Sequence, residues 1–182
     1  TWTSKTSGCG MTEDMWAINL ESTIGVIIGD NGSIYTSSDR GSTCTARTSG
    51  TTVEFNELLY GDSTFVAAGD NETILTSSNG TSWTSRISGT TNALYGGSYS
   101  SPNFVLVGAS GKVIRSSDGT SWTSQSLDSL TADNIFGFAR GGTTSVFVGA
   151  SGNIFTIDDD ESDVTARTSG TTQNLRRVFY KE

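Results

Sequence analysis

An all-β protein built from four-stranded units of about 40 residues follows from three observations in the 182-residue sequence. The first is a recurring polar phrase: "SSNGTSWTSRISGTT" from Ser77 and "SSDGTSWTSQSLDSL" from Ser116. Relatives flank it, "SSDRGSTCTARTSGTT" from Ser37 and "TIDDDESDVTARTSGTT" from Thr156, and a half-length copy, "TWTSKTSG", opens the chain. Aligned on the Trp slot, these place Trp2, Cys44, Trp83, Trp122 and Val164 at spacings of 42, 39, 39 and 42 residues. The second is an independent landmark with nearly the same step: "GDNGSI" at Gly29, "GDNETI" at Gly69, "GASGKV" at Gly108 and "GASGNI" at Gly149. The third is a fall in apolarity from the middle of each unit to its end. A fixed period of this length signals a repeat architecture. Four short strands per unit, with the last one wet, fit the blade of a β-propeller. A β-sandwich has no reason to repeat its sequence, and no stretch has helical periodicity of useful length.

Each unit resolves into four blocks. Block a is semi-apolar with a two-residue step, a strand period: Trp16 and Ile18, Leu58 and Tyr60, Gly97 and Tyr99, Phe136 and Phe138, Val178 and Tyr180. Block b is an unbroken apolar run, "GVIIG", "FVAAG", "FVLVG" and "VFVG", as expected of a strand covered on both faces. Asn-Gly, Ser-Gly and similar pairs follow it, residues that tolerate the positive φ of a tight hairpin. Block c is short and β-branched or aromatic: "SIYTS", "TILTS", "KVIRS", "NIFTI". Block d is the polar one: "CTARTSG", "SWTSRISG", "SWTSQSL", "VTARTSG". The expected architecture is a propeller of four-stranded antiparallel blades, four full repeats plus two partial end strands. The units are about 9–50, 51–89, 90–128 and 129–170, with partial strands 1–8 and 171–182, in one domain or a part of one. The repeat is cut mid-unit at both ends. That predicts either a processed piece of a longer array or completion of the end blades by another chain, hence self-association.

The c–d hairpin resembles the Asp-box, or BNR repeat, of sialidase-like β-propellers, whose pattern is Ser/Thr-x-Asp-x-Gly-x-Thr-Trp. Ser37, Asp39, Gly41 and Thr43 match, with Cys44 in place of the Trp. Ser77, Asn79, Gly80, Ser82 and Trp83 match with one residue fewer and Asn for Asp, and Ser116, Asp118, Gly119, Ser121 and Trp122 match with the same deletion. The last copy keeps Thr156 and Asp158 and then degrades. The resemblance spans the chain and implies the propeller fold. In this reading the Asp or Asn accepts backbone N–H bonds and fixes the turn. Trp83 and Trp122 pack over it or, alternatively, serve as platforms for sugar rings.

The resemblance also raises the question of hydrolase activity. Sialidase-like enzymes use an arginine triad, a Tyr–Glu nucleophile pair and an Asp acid/base, and none of these positions matches motif by motif. Lys5, Arg47, Arg86 and Arg167 share one d-strand slot, with Gln125 in the third copy. A residue that recurs by register is a blade feature rather than one corner of an asymmetric active site. The chain has no histidine, which excludes His-based nucleophile activation and His-ligated metals. A two-carboxylate glycosidase is the third-ranked reading.

Net charge is −8, which disfavours nucleic acid as partner because phosphate contacts need Lys and Arg clusters. No run of 18 apolar residues marks a membrane span. Asp158 to Asp163 concentrate oxygen ligands, read as a solvated degenerate turn against a calcium site. Asn31, Asn71 and Asn79 head sequons on hairpin tips, where turn chemistry suffices and glycosylation is the alternative. Cys44 starts a d strand and Cys9 lies past the end of the preceding one. About seven residues, roughly 23 Å of strand, would separate them, more than the ~7 Å a bridge spans, so two free thiols are expected.

The functional expectation is a non-catalytic recognition or scaffolding propeller of a secreted, cell-surface or virion protein. It needs no cofactor and binds a glycan or a protein surface. The candidate ligand-binding residues are Arg47, Arg86, Arg167, Trp83 and Trp122. The rival is a structural building unit of a larger assembly.

Overall fold

The computed structural model describes residues 9–21, 23–126, 133–158 and 164–180. These form a four-bladed β-propeller. Blade 1 contains β1 (Met15–Glu21), β2 (Ile24–Gly29), β3 (Ile34–Ser37) and β4 (Thr45–Arg47). Blade 2 contains β5 (Phe55–Gly61), β6 (Thr64–Gly69), β7 (Ile74–Ser77) and β8 (Thr84–Arg86). Blade 3 contains β9 (Leu94–Ser100), β10 (Asn103–Gly108), β11 (Lys112–Ser116) and β12 (Thr123–Ser126). Blade 4 contains β13 (Ile135–Gly141), β14 (Thr144–Gly149), β15 (Ile154–Asp158) and β16 (Val164–Arg167). Each blade is an antiparallel sheet in chain order, and the inner strands β1, β5, β9 and β13 pack in succession.

The unbroken apolar runs are explained by two-sided burial. On β6, Phe65 and Ala67 join Val26, Ile28, Phe55, Leu58 and Leu75 in the layer between blades 1 and 2. Their neighbours Val66 and Ala68 join Phe104, Leu106 and Ile114 in the layer between blades 2 and 3. A third layer holds Val105, Val107, Phe138 and Phe147. Alternate residues of one strand thus serve two interfaces, so no position on it is free to be polar. The outer strands β4 and β8 are largely exposed.

The c–d hairpins are held by their own side chains. Ser37 Oγ accepts from the Gly41 N–H at 2.8 Å, and Asp39 accepts from the Thr43 N–H and hydroxyl at 2.8 and 2.7 Å. These bonds, the Thr43 N–H foremost, hold the Asp39 carboxyl at about 2. Asp118 accepts from the Thr120 and Ser121 N–H groups at 2.7 and 2.8 Å, and its carboxyl is likewise lowered, chiefly by Ser121. Trp83 Nε1 donates to the Gly80 carbonyl and Trp122 Nε1 to that of Gly119, both at 3.0 Å. Each indole heads a three-ring stack: Trp83, Phe65 and Tyr60 in blade 2, Trp122, Phe104 and Tyr99 in blade 3.

Blade 1 has Leu20, Gly25 and Cys44 in those three slots, and here the expectation of free thiols fails. Cys9 and Cys44 form a disulfide, with Cα atoms 4.5 Å apart. The strand-length estimate assumed that Cys9 stays at the end of a neighbouring outer strand. Instead the 9–14 connector runs back across blade 1. Cys9 sits at the head of β4, Glu13 accepts from the Tyr35 hydroxyl on β3, and the Asp14 carbonyl accepts from the Asp30 N–H after β2.

After blade 4 the chain continues as a segment outside any sheet that takes the place of a further inner strand. Tyr180 lies flat on Gly141 as Tyr99 lies on Gly61, and the Thr171 carbonyl abuts Gly152 as that of Thr51 abuts Gly32. Asn174 Oδ1 accepts from the Ser151 N–H at 3.2 Å, as Asn134 Oδ1 does from that of Ser110. The far face of blade 1 lacks such a cover among the described residues, and Ile18 and Leu20 on β1 are 59% and 70% exposed.

The b–c turns place two successive residues at positive φ: Asn31 and Gly32, Ser110 and Gly111, Ser151 and Gly152. Blade 2 has Asn71 and Glu72, at φ 50° and 59°. Glu72 is thus a side chain in a left-handed slot that the other blades give to glycine. Glu72→Gly is expected to raise stability by about 1 kcal/mol, measured as a higher urea midpoint. A lower midpoint would contradict the reading.

Candidate functional site

Every inner strand carries a β-bulge at the same place. The register skips Trp16 on β1, Asn56 on β5, Tyr95 on β9 and Phe136 on β13. A bulge adds one residue to one strand and re-aims its side chain. The backbone closes behind it: the N–H of Asp30, Asp70, Ala109 or Ala150 donates to the carbonyl of Asp14, Glu54, Ala93 or Asn134 at 2.9–3.0 Å. The four bulged residues, with Arg176 in the corresponding position of the terminal segment, converge on one mouth. Together with Glu54 and Arg177 they line a cavity of about 470 Å³.

The mouth is polarised. On blades 1 and 2 the rim is acidic: Asp14, Asp30, Glu54 and Asp70. Trp16 Nε1 donates to Asp30, and Asn56 Nδ2 donates to Asp70 at 3.0 Å and to the Leu94 carbonyl at 3.1 Å. Both amide protons of Asn56 are thereby used, so its carbonyl oxygen is what it offers a ligand. Burial, then the charges of Asp30 and Asp70, raises the Glu54 carboxyl above its usual range. On blades 3 and 4 the equivalent rim residues are Ala93, Ala109, Asn134 and Ala150, and the floor is aromatic. Tyr95 and Phe136 stack with centroids 5.5 Å apart, and the Arg176 guanidinium sits 5.4 Å above Phe136, a cation–π contact.

Deeper, Arg177 reaches across to Glu57, 2.7 Å away and 120 residues earlier. The intervening inner strands have Gly96 and Gly137 in that register. A Cβ at Gly96 would lie 2.2 Å from the Phe136 carbonyl oxygen, so no side chain fits there. Glu57 is 8% exposed and also accepts from the Leu58 N–H at 3.1 Å and from that of Gly97. Burial still pushes its carboxyl up, against the pull of Arg177 and the N–H groups. A raised acid contributes stability that is full below its unfolded-chain pKa and is lost as pH rises through the folded value. Arg177→Ala raises it further. The expected loss is about 2 kcal/mol at pH 8 and clearly less at pH 5, read from urea melts. Equal losses at both pH values would contradict the role of Arg177.

The residues expected from sequence lie elsewhere, on the perimeters of separate blades. Arg47, Arg86 and Arg167 each donate from Nε to a threonine hydroxyl on the neighbouring strand, Thr36, Thr76 and Thr156, at 2.8–3.0 Å. Arg47 borders a perimeter groove of about 660 Å³ with Tyr35 and the Ser49–Gly50–Thr51 connector, and Arg86 a smaller one of about 380 Å³. Trp83 and Trp122 are half-buried in their hairpins. Asn31, Asn71 and Asn79 are exposed, though Asn79 Oδ1 already accepts from the Thr81 and Ser82 N–H groups. Lys5, the Gln125 side chain and 159–163 of the acidic run lie outside the described residues. No group of three or more Cys, Asp or Glu among the described residues is arranged to hold a metal ion, and no helix among them is long and apolar enough to cross a membrane.

The axial mouth was missed because the bulges are invisible in a repeat alignment. Its polarity was in the sequence all the same. The second landmark reads "GDNG" and "GDNE" in blades 1 and 2 but "GASG" in blades 3 and 4. The change from Asp to Ala leaves the period intact, so the landmark marks the repeat without marking the mouth.

No family model matches the chain, and no curated protein does. Solved structures share its fold at low identity. A YCF48 chain bound to a D1 peptide superposes with a TM-score of 0.72 at 15% identity, over 95% of this chain and 59% of that one. YCF48 from Cyanidioschyzon merolae gives 0.71 at 13% identity, over 96% and 61%. A chain of a nidogen/laminin complex gives 0.71 at 13% identity, over 93% and 69%. The chain thus spans about three-fifths of the YCF48 chains that it resembles, and at these identities the likeness is one of fold.

Proposed function

We propose that this chain is a non-catalytic binding propeller whose partner is a protein, engaged through a peptide segment at the axial mouth. The observation that carries the reading is the set of four bulges, each spending one residue of strand pairing to turn a side chain toward a common cavity. Such devices concentrate at functional sites, and a concave, partly aromatic pocket with a few polar groups is the usual form of a binding site. Two fold neighbours were solved with peptide or protein partners, one with a D1 peptide and one in a nidogen/laminin complex, which agrees in kind.

The finer readings belong to the same proposal. The Ser–Asp hairpins are Asp-box turns, supported by the bonds from Ser37, Asp39, Ser116 and Asp118. A secreted, surface or virion location is supported by the Cys9–Cys44 disulfide, a bond of oxidising compartments. Glycosylation at Asn31 or Asn71 is compatible with their exposure. Self-association is supported by the bare Ile18 and Leu20 face of β1 and by Phe179, 85% exposed, at the other end. Glycan binding would use the perimeter grooves beside Arg47 and Arg86.

Selection from a random peptide library against the immobilised protein, with a glycan array in parallel, tests the reading. Enriched peptides that bind the soluble protein are expected. An array that yields glycans and a library that yields nothing would replace the axial reading with the perimeter one.

A further inference from the structure

The mouth carries two unpaired poles. Among the described residues no cation pairs with Asp30, Glu54 or Asp70, and no carboxylate pairs with Arg176, whose contact is the Phe136 ring. Glu54 and Arg176 line the same cavity of about 470 Å³ without forming an ion pair with each other. Between them lie Asn56, with a carbonyl to offer, and the Tyr95–Phe136 stack, an apolar floor. Like charges crowded on one rim are relieved by a cation, and the Glu54 carboxyl, raised first by burial, is raised further by Asp30 and Asp70.

Resting on the peptide-binding reading, we propose that the axial mouth selects a dipolar peptide segment. A Lys or Arg side chain of the ligand lies against Glu54, Asp30 and Asp70, beside the Trp16 indole. An Asp or Glu side chain a few residues away meets Arg176, and the chain between them runs over Tyr95 and Phe136. Each pole alone is a weak surface charge. Engaged together by one chain, with an aromatic floor excluding water beneath, they discriminate by charge order as well as by charge. A purely basic segment is repelled at the Arg176 end and a purely acidic one at the Glu54 end, which supplies the selectivity.

The test uses fluorescein-labelled peptides with blocked ends, carrying Arg and Glu three residues apart. Three companions have Gln for Glu, Gln for Arg, or both, and anisotropy is read with wild type, Glu54→Gln and Arg176→Gln. The dipolar peptide is expected to bind tightest, with each Gln replacement weakening it about tenfold, as for loss of one charge-assisted contact. Glu54→Gln should erase the preference for Arg while keeping that for Glu, and Arg176→Gln the reverse. Unchanged melting temperatures separate these losses from unfolding. Four peptides binding alike, or variants that weaken all four alike, would overturn the proposal. So would no binding of any of them. Library peptides that bind but lack the paired charges would leave the peptide-binding reading standing and this one refuted.

Discussion

Trp122→Ala is expected to lower the unfolding free energy by about 3 kcal/mol or more. The indole closes the blade 3 hairpin from above. Its Nε1–H caps the Gly119 carbonyl at 3.0 Å, and its ring extends the stack over Phe104, fully buried, which itself lies 4.5 Å from Tyr99. Truncation removes the ring, the bond and the cover of the layer between blades 2 and 3 at once. Trp83→Ala should behave alike, because the same trio recurs around Phe65. Ile87→Ala is the control: Ile87 is 88% exposed, and its loss should stay within about 0.5 kcal/mol. Urea unfolding followed by far-ultraviolet circular dichroism checks all three. A Trp122 loss under about 1 kcal/mol would mean that the ring is an accessory to the hairpin.

A second large effect is expected at Gly61. A Cβ there would stand 2.2–2.4 Å from three ring carbons of Tyr99. That ring is pinned against Phe104 and cannot retreat without opening the blade 2–3 layer, so Gly61→Ala should cost about 3 kcal/mol. A Cβ at Gly141 would meet the Tyr180 ring as closely, at 2.1–2.5 Å, but Tyr180 is 57% exposed on the terminal segment and can swing away. Gly141→Ala should therefore cost under about 1 kcal/mol. The contrast between two equivalent glycines isolates the packing behind the ring. Comparable costs at both would place the terminal segment as firmly in the fold as blade 3.

The fold was legible in the sequence because its signals are repeated and two-faced. The runs "FVAAG" and "FVLVG" could only be strands covered on both sides, and Phe65–Ala67 and Val66–Ala68 indeed face opposite layers. The Asn-Gly and Ser-Gly pairs fixed the turns, and Asn31 and Ser110 hold the positive φ expected of them. The disulfide was misjudged because distance along a strand says nothing of a connector that doubles back, as 9–14 does over Tyr35. The axial mouth was illegible for a related reason. A bulge changes pairing without changing composition, so Trp16 and Phe136 read as ordinary inner-strand residues. The Arg177–Glu57 bond depends on segments 120 residues apart that only the curved succession of blades brings face to face, and no local pattern encodes it.

In the proposed binding mode, ligand recognition belongs to the bulged residues of the inner strands. Backbone and indole chemical-shift mapping tests it most directly, with a bound peptide titrated into isotopically labelled protein. Shifts are expected in the Trp16 indole N–H and in the amides around Asn56, Tyr95, Phe136 and Arg176, with the Trp83 and Trp122 indole signals unmoved. Shifts confined to Trp83, Trp122 and the amides around Arg47 and Arg86 would contradict it and move the site to the perimeter.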